Sequence, residues 1–197
     1  MSTVSSVVES LSLMTNDHDR AWLLALAREA IVTYASAREL VTSISEPIAE
    51  REGGAFVTLH KRGELRGCIG HLEVDQPLGR VVPRCAVAAA STDPRFPPVS
   101  LAEVPELEIE ISLLGPLEPI AGPADIIVGM HGLVVEREWH RGLLLPQVAT
   151  EWGWDAQTFL AQTCHKAGLP QDAWKHWAKM WRFEAEVFSE KQPPHAA

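Results

Sequence analysis

Cysteine is scarce in this chain of 197 residues, and the three present, Cys68, Cys85 and Cys164, stand far apart. An odd, dispersed set builds neither a disulfide framework nor a zinc-ribbon spacing, so reduced thiols in a cytoplasmic protein are expected. Long apolar runs are also missing: stretches such as Trp22 to Ala27 and Cys85 to Ala90 fall far short of the roughly 20 residues that cross a bilayer, so no membrane association is expected. The opening Met1 to Met14 carries Glu9 and scattered serines where a secretory signal has a basic stretch and an apolar one, so no export is expected. Positive charge is in deficit, 17 Lys and Arg against 26 Asp and Glu, and a formal charge of −9 repels the phosphate backbone of nucleic acid. There is no His-Glu-x-x-His, no paired Cys-x-x-Cys, no Asp-rich loop and no phosphate loop, so no metal site is expected.

What is present fits a packed globular chain. The residues are 46% hydrophobic and 22% charged, and the length suits a single domain with its own core. Asn16 or Asp17 can cap a helix in which Trp22, Leu23, Leu26, Ala27, Ala30, Ile31 and Tyr34 recur at three- and four-residue steps. Ala55 to His60 and Leu65 to Ile69 read as a hairpin joined by Lys61 to Glu64, and Pro77 opens a second helix that ends before Asp93. Leu107 to Leu113 alternates apolar and polar residues as a half-buried strand does. Gly132 to Arg137 and Gly142 to Leu145 form a second hairpin, and Asp155 caps a helix stopped by Gly168 and Pro170. In the last strand Trp181, Phe183, Ala185 and Val187 are the expected inward set. The fold class expected is α+β, a mainly antiparallel sheet flanked by helices, with room for a second small lobe. One domain is placed over 17–188, with 1–16 and 189–197 as flexible termini.

The chemistry concentrates at Leu65-Arg66-Gly67-Cys68-Ile69-Gly70-His71. Glycine within a strand sacrifices packing unless another group must come close, so Cys68 is expected at the wall of a cleft between sheet and helix. Arg66 beside a glycine-flanked thiol would stabilise the thiolate and make Cys68 the most reactive of the three. The competing reading is a buried small hydrophobe beside a glycine bulge. His71 and His140 are possible bases by type, but exposed histidines are commoner than catalytic ones. Cys164 and His165, adjacent on a helix, diverge by about 100° and read as a structural thiol and a solvated imidazole. Asp93-Pro94-Arg95-Phe96-Pro97-Pro98 is a rigid turn that leaves Arg95 free to meet an anion or a carbonyl. Trp152, Trp154, Trp174, Trp177 and Trp181 cluster late in the chain; such density can line a cleft, and filling a core is its commoner use.

Four of these stretches, Leu65 to Gly70, Asp93 to Pro98, Leu145-Pro146-Gln147-Val148-Ala149 and Cys164-His165-Lys166-Ala167-Gly168-Leu169-Pro170, resemble the AMMECR-type domain family, also described as protein A of the AmmeMemoRadiSam system. The resemblance covers roughly residues 17 to 188. It implies an α+β fold with an antiparallel sheet, two unequal lobes and a cleft beside the Arg-Gly-Cys-Ile-Gly segment. It also implies a MEMO-type protein and a radical SAM protein as partners, and it brings no established reaction and no cofactor. On this basis Cys68 is the candidate catalytic residue. Arg66, Gly67, Ile69, Gly70 and Arg95 are candidate ligand contacts, with His71 added as a neighbour just beyond the motif. Arg66 would hold an anion, and amides near Gly67 and Gly70 would act as oxyanion donors. The preferred function is a cysteine-dependent accessory enzyme or enzyme subunit acting at Cys68, and the alternative is a non-catalytic module that binds a partner or ligand in the same cleft.

Overall fold

A computed structural model describes residues 15–37 and 46–191, so the expectations for 1–14 and 192–197 lie outside the described residues. The fold is α+β, and the described residues divide into two compact units, those up to Leu114 with those from Glu186 onward, and Gly115–Ala185. In chain order the helices are α1 (Asp17–Ala37), α2 (Pro47–Glu50), α3 (Leu78–Ser91), α4 (Pro146–Glu151) and α5 (Ala156–Lys166). The strands are β1 (Gly54–Lys61), β2 (Glu64–His71), β3 (Leu107–Leu114), β4 (Glu118–Pro119), β5 (His131–Arg137), β6 (His140–Leu144) and β7 (Lys179–Ser189). The pairings β1 with β2, β1 with β3, β4 with β7, β5 with β6 and β5 with β7 are all antiparallel.

In the first unit β1 lies between β2 and β3. Alternation sends Ala55, Val57 and Leu59 of β1 and Ile109, Ile111 and Leu113 of β3 to one face, where they pack with Leu23, Ala27 and Ile31 of α1 and Val82, Cys85, Ala86 and Ala89 of α3. Asn16 is the cap of α1: its side-chain oxygen accepts the Asp19 amide at 2.9 Å, and the Asp19 carboxylate accepts the Asn16 amide at 3.2 Å. Described residues outside 17–188 also make contacts. Thr15 is buried and bonds both its amide and its hydroxyl to Glu186, while Glu190 joins the Arg28 guanidinium to the Ile109 amide.

In the second unit β5 lies between β6 and the first part of β7. Leu133 and Val135 of β5 pack with Phe159, Leu160 and Cys164 of α5. Asp155 caps α5 by accepting the Thr158 amide at 2.7 Å. Asp155→Ala is therefore expected to lower stability, read as a lower urea midpoint with unchanged slope.

Two sequence expectations are corrected here. The inward set on β7 is not uniform: Phe183 is buried against Gly132, Val187 is exposed and Phe188 joins the first core instead. The strand passes from one unit to the other, so the side that is covered changes along it. The late tryptophans are not all core, since Trp152 and Trp177 are exposed while Trp154 and Trp174 pack at the border of the second core.

Candidate functional site

The hairpin turn is Arg62-Gly63, both with positive φ, 55° and 85°, the pairing that suits a tight two-residue connection. From it the register runs Lys61 opposite Glu64 and His60 opposite Leu65, then slips by one so that Leu59 faces Gly67 and Thr58 faces Cys68. Arg66 is the extra residue of this bulge. Had the register run on unbroken, Leu59 would face Arg66 and Thr58 would face Gly67, so the bulge decides what stands across from the thiol.

Gly67 turns toward the helices. A β-carbon there would lie 2.2 Å from the Ala89 carbonyl oxygen of α3, so glycine is required for β2 to meet the helix backbone. Cys68, one residue on, points to the opposite face of the sheet with Thr58. The expected cleft between sheet and helix is therefore corrected: the bare glycine makes that contact, and the half-buried thiol is on the other side. Gly70 shares the thiol's face, and the Phe56 ring lies over it where a β-carbon would stand 2.3 Å away. Ile69 packs against the first core.

The Thr58 hydroxyl donates to Cys68 Sγ at 3.3 Å. The Cys68 amide, on the side of β2 away from β1, donates to Asp93 Oδ2 at 2.9 Å. Asp93 is itself buried and binds Arg95 through three contacts, the Arg95 amide to Oδ1 at 3.1 Å, Nε to Oδ1 at 2.9 Å and Nη2 to Oδ2 at 2.6 Å. These charge-assisted bonds hold the Asp93 carboxyl far below the usual carboxylate range. Arg95 remains 52% exposed and its guanidinium lies over the Phe96 ring, 5.4 Å from the centroid.

Arg66 is not the cation of the thiol. Its guanidinium donates to both oxygens of Glu103, at 2.8 and 3.1 Å, and Lys61 adds a third contact to that carboxylate at 3.1 Å. Arg66 drives the Glu103 pKa down to about 2. Burial pushes the Cys68 thiol up, against the lowering effects of the Thr58 hydroxyl and the Arg95 charge. Low thiol pKa is thus not what sets Cys68 apart. Cys85, buried in the core, is pushed up to about 11, and Cys164 is raised by burial too. His71 falls on the face opposite Cys68 and bonds Asp75 at 2.7 Å through Nε2. His140 belongs to the second unit, with its ring 5.7 Å from that of Trp139.

Arg95→Ala is expected to slow iodoacetamide labelling of Cys68 at a given pH, whereas Arg66→Ala leaves it unchanged while the fold persists. Site-resolved mass spectrometry of labelled protein checks this, and the reverse order would reinstate Arg66. Sequence reading singled out Arg95 and missed Thr58, Asp93 and Glu103 as site groups. The bulge hides Thr58, and nothing local in sequence pairs an acid with a cation 37 positions away.

A family model described as AMMECR1 matches residues 24–188. A protein of Methanothermobacter thermautotrophicus is 53% identical over 144 residues, covering 70% of this chain and 75% of its own length. One from Thermococcus gammatolerans is 45% identical over 185 residues, covering 87% of this chain and 90% of its own length. The crystal structure of protein PH0010 from Pyrococcus horikoshii superposes with a TM-score of 0.85 at 41% identity, covering 92% of this chain and 96% of that one.

Proposed function

The chain belongs to the AMMECR1 family, and from that premise we propose that it is a binding module whose contact surface is the β1–β2 face around Cys68, with the exposed side of the Arg95 guanidinium, which is paired to Asp93 through Nε and Nη2 yet 52% exposed, as its anion contact. The observation that carries this reading is the set of groups around the thiol, in which, among the described residues, neither a free cation nor a base is aimed at sulfur. Burial favours its neutral form, the Arg66 guanidinium is committed to Glu103, and His71 faces the other way. A neutral thiol beside a hydroxyl and a half-exposed guanidinium supplies polar contacts for a ligand without requiring attack by sulfur. Gly67 and Gly70 then hold the strand close to α3 and under Phe56, and the Cys68 amide, taken by Asp93, is not an oxyanion donor at rest. Part of the same proposal is a cytoplasmic setting, with a MEMO-type protein and a radical SAM protein as partners. No helix among the described residues is long and apolar enough to cross a membrane.

The rival is a cysteine-dependent accessory enzyme or subunit, favoured by the Thr58 hydroxyl and Arg95 charge, which both stabilise a thiolate. Alkylation of Cys68 followed against pH separates the two. The binding reading expects labelling slower than that of free cysteine at neutral pH, and Cys68→Ser that still co-purifies with the partners of the unaltered chain. A labelling midpoint below that of free cysteine, together with loss of function in Cys68→Ser despite an intact fold, would sink it.

A further inference from the structure

The loop that leads into β5 closes on a titratable side chain. Ile126 is buried in the second core and His131 opens the strand, and between them Ile127 and Met130 stand 55% and 49% exposed. His131 is itself buried, and strand alternation puts its ring on the side of Leu133 and Val135, which pack in that core. The Ile127 amide donates to His131 Nδ1 at 2.9 Å. The Ile127 carbonyl accepts the Met130 amide at 3.1 Å and the His131 amide at 3.0 Å. Gly129, with a φ of 89° that favours glycine, completes the turn.

One bond in this set depends on protonation. To accept an amide, Nδ1 must present a lone pair, so the neutral ring carries its proton on Nε2. The imidazolium carries a proton on both nitrogens, and Nδ1 would then set a donor against the Ile127 donor at the same 2.9 Å. The loop relieves that opposition by turning its Ile127 amide out to water. The bonds to the Ile127 carbonyl and those of the β5 ladder involve no titrating group, so the change is confined to the loop.

The surroundings oppose this protonation without forbidding it. Burial is the largest cause that holds the His131 pKa below the ordinary histidine value, and the Arg182 guanidinium acts the same way. Glu184, opposite His131 on β7, and Glu118 on β4 act against them, Glu184 the more strongly. Arg182 is tied to Glu118 at 2.8 and 2.9 Å and donates to the Asp125 carbonyl at 2.6 Å, while the Asp125 carboxylate accepts the Ala121 and Gly122 amides. Glu151, on α4, is exposed. Because the folded value is depressed, the stability contributed by the neutral ring is present above the ordinary histidine value and is lost as pH falls through the folded one.

We infer that residues 127–131 form a proton-operated latch: neutral His131 locks the loop with Ile127 and Met130 outward, and protonation of His131 releases it while the sheet stays intact. The test is NMR of the full, nitrogen-15-labelled chain titrated from about pH 8 to about pH 4.5. Expected is one shared midpoint, below the ordinary histidine value, for the His131 ring and for the Ile127 amide signal. Over the same range the hydrogen-exchange protection of the Ile127 amide, corrected for intrinsic rates, is expected to fall at least about tenfold, while Val134 and Val135 inside β5 keep theirs. Glu184→Gln, at an exposed residue, should move both midpoints to lower pH by the same amount, because a charge that favours the imidazolium is gone. His131→Leu identifies the ring signal and should leave Ile127 unprotected at every pH. A ring that protonates while Ile127 keeps its protection would overturn the inference, as would a ring still neutral at about pH 4.5 in the folded chain. So would a Glu184→Gln shift in one midpoint without the other, or a His131→Leu loop that keeps the pH dependence of the unaltered chain.

Discussion

Gly67→Ala is expected to destabilise the protein by about 3 kcal/mol, and Gly67→Val by more, because the first added carbon has nowhere to go. It would stand 2.2 Å from the Ala89 carbonyl oxygen, a backbone atom in the last turn of α3 that cannot rotate aside as a side chain can. Either α3 or β2 must shift, and both carry the first core. Gly63→Ala is the contrasting case. No atom lies within 4 Å of a β-carbon there, so only the positive φ of 85° is strained and the cost is expected near 1 kcal/mol. Urea unfolding of the two variants beside the unaltered chain reads the difference. Equal, small losses would show that β2 does not press on α3 as described, and Cys68 would lose the constraint that aims it at the opposite face.

Acidification is expected to remove about 2 kcal/mol of stability through Glu103 alone. Its folded pKa, about 2, lies below its ordinary value of 4.5, so its contribution is fully present above the ordinary value and is lost as pH falls through the folded one. The cause is the Arg66 fork with the added Lys61 charge, and the carboxylate is only 16% exposed, so solvent screens it little. Asp93 acts in the same direction: paired with Arg95 and accepting the Cys68 amide, it sits lower still, so its share is surrendered last. Stability measured by urea from about pH 6 to about pH 2 should fall steeply below the ordinary carboxylate range. Glu103→Gln should begin less stable at neutral pH and show a shallower fall. A variant with the full wild-type slope would mean that Glu103 is not charged against Arg66 in the folded state.

Much of the fold was legible because its signals are local. Asp155 and Asn16 cap their helices because a short polar side chain one residue before a helix can reach the free amides of the first turn. The strand expected at Leu107 to Leu113 is found as Leu107–Leu114, since alternation along it is set by the pleat of a single chain. The candidate site was legible only in part. Glycines around Cys68 announced a close approach correctly, and the resemblance in the same stretch named the family that the comparison over residues 24–188 establishes. Arg66 misled because proximity in sequence is not proximity of charge: a one-residue bulge gave its side chain another direction and Glu103 another claim on it.

By itself, then, the sequence determined the positions of the main helices and strands, the α+β class and the family, all of which depend on periodicity, caps, turn residues and contiguous motifs. Only the tertiary structure decided which face of β2 the thiol occupies, that Thr58 and Asp93 are its partners, and that Arg66 belongs to Glu103. It alone decided that Ile127 and Met130 are presented to solvent on a loop held by His131. The physical reason is common to all four. Each depends on register or packing between segments distant along the chain, where a shift of one residue reverses the face a side chain occupies and a single buried partner outweighs any neighbour in sequence.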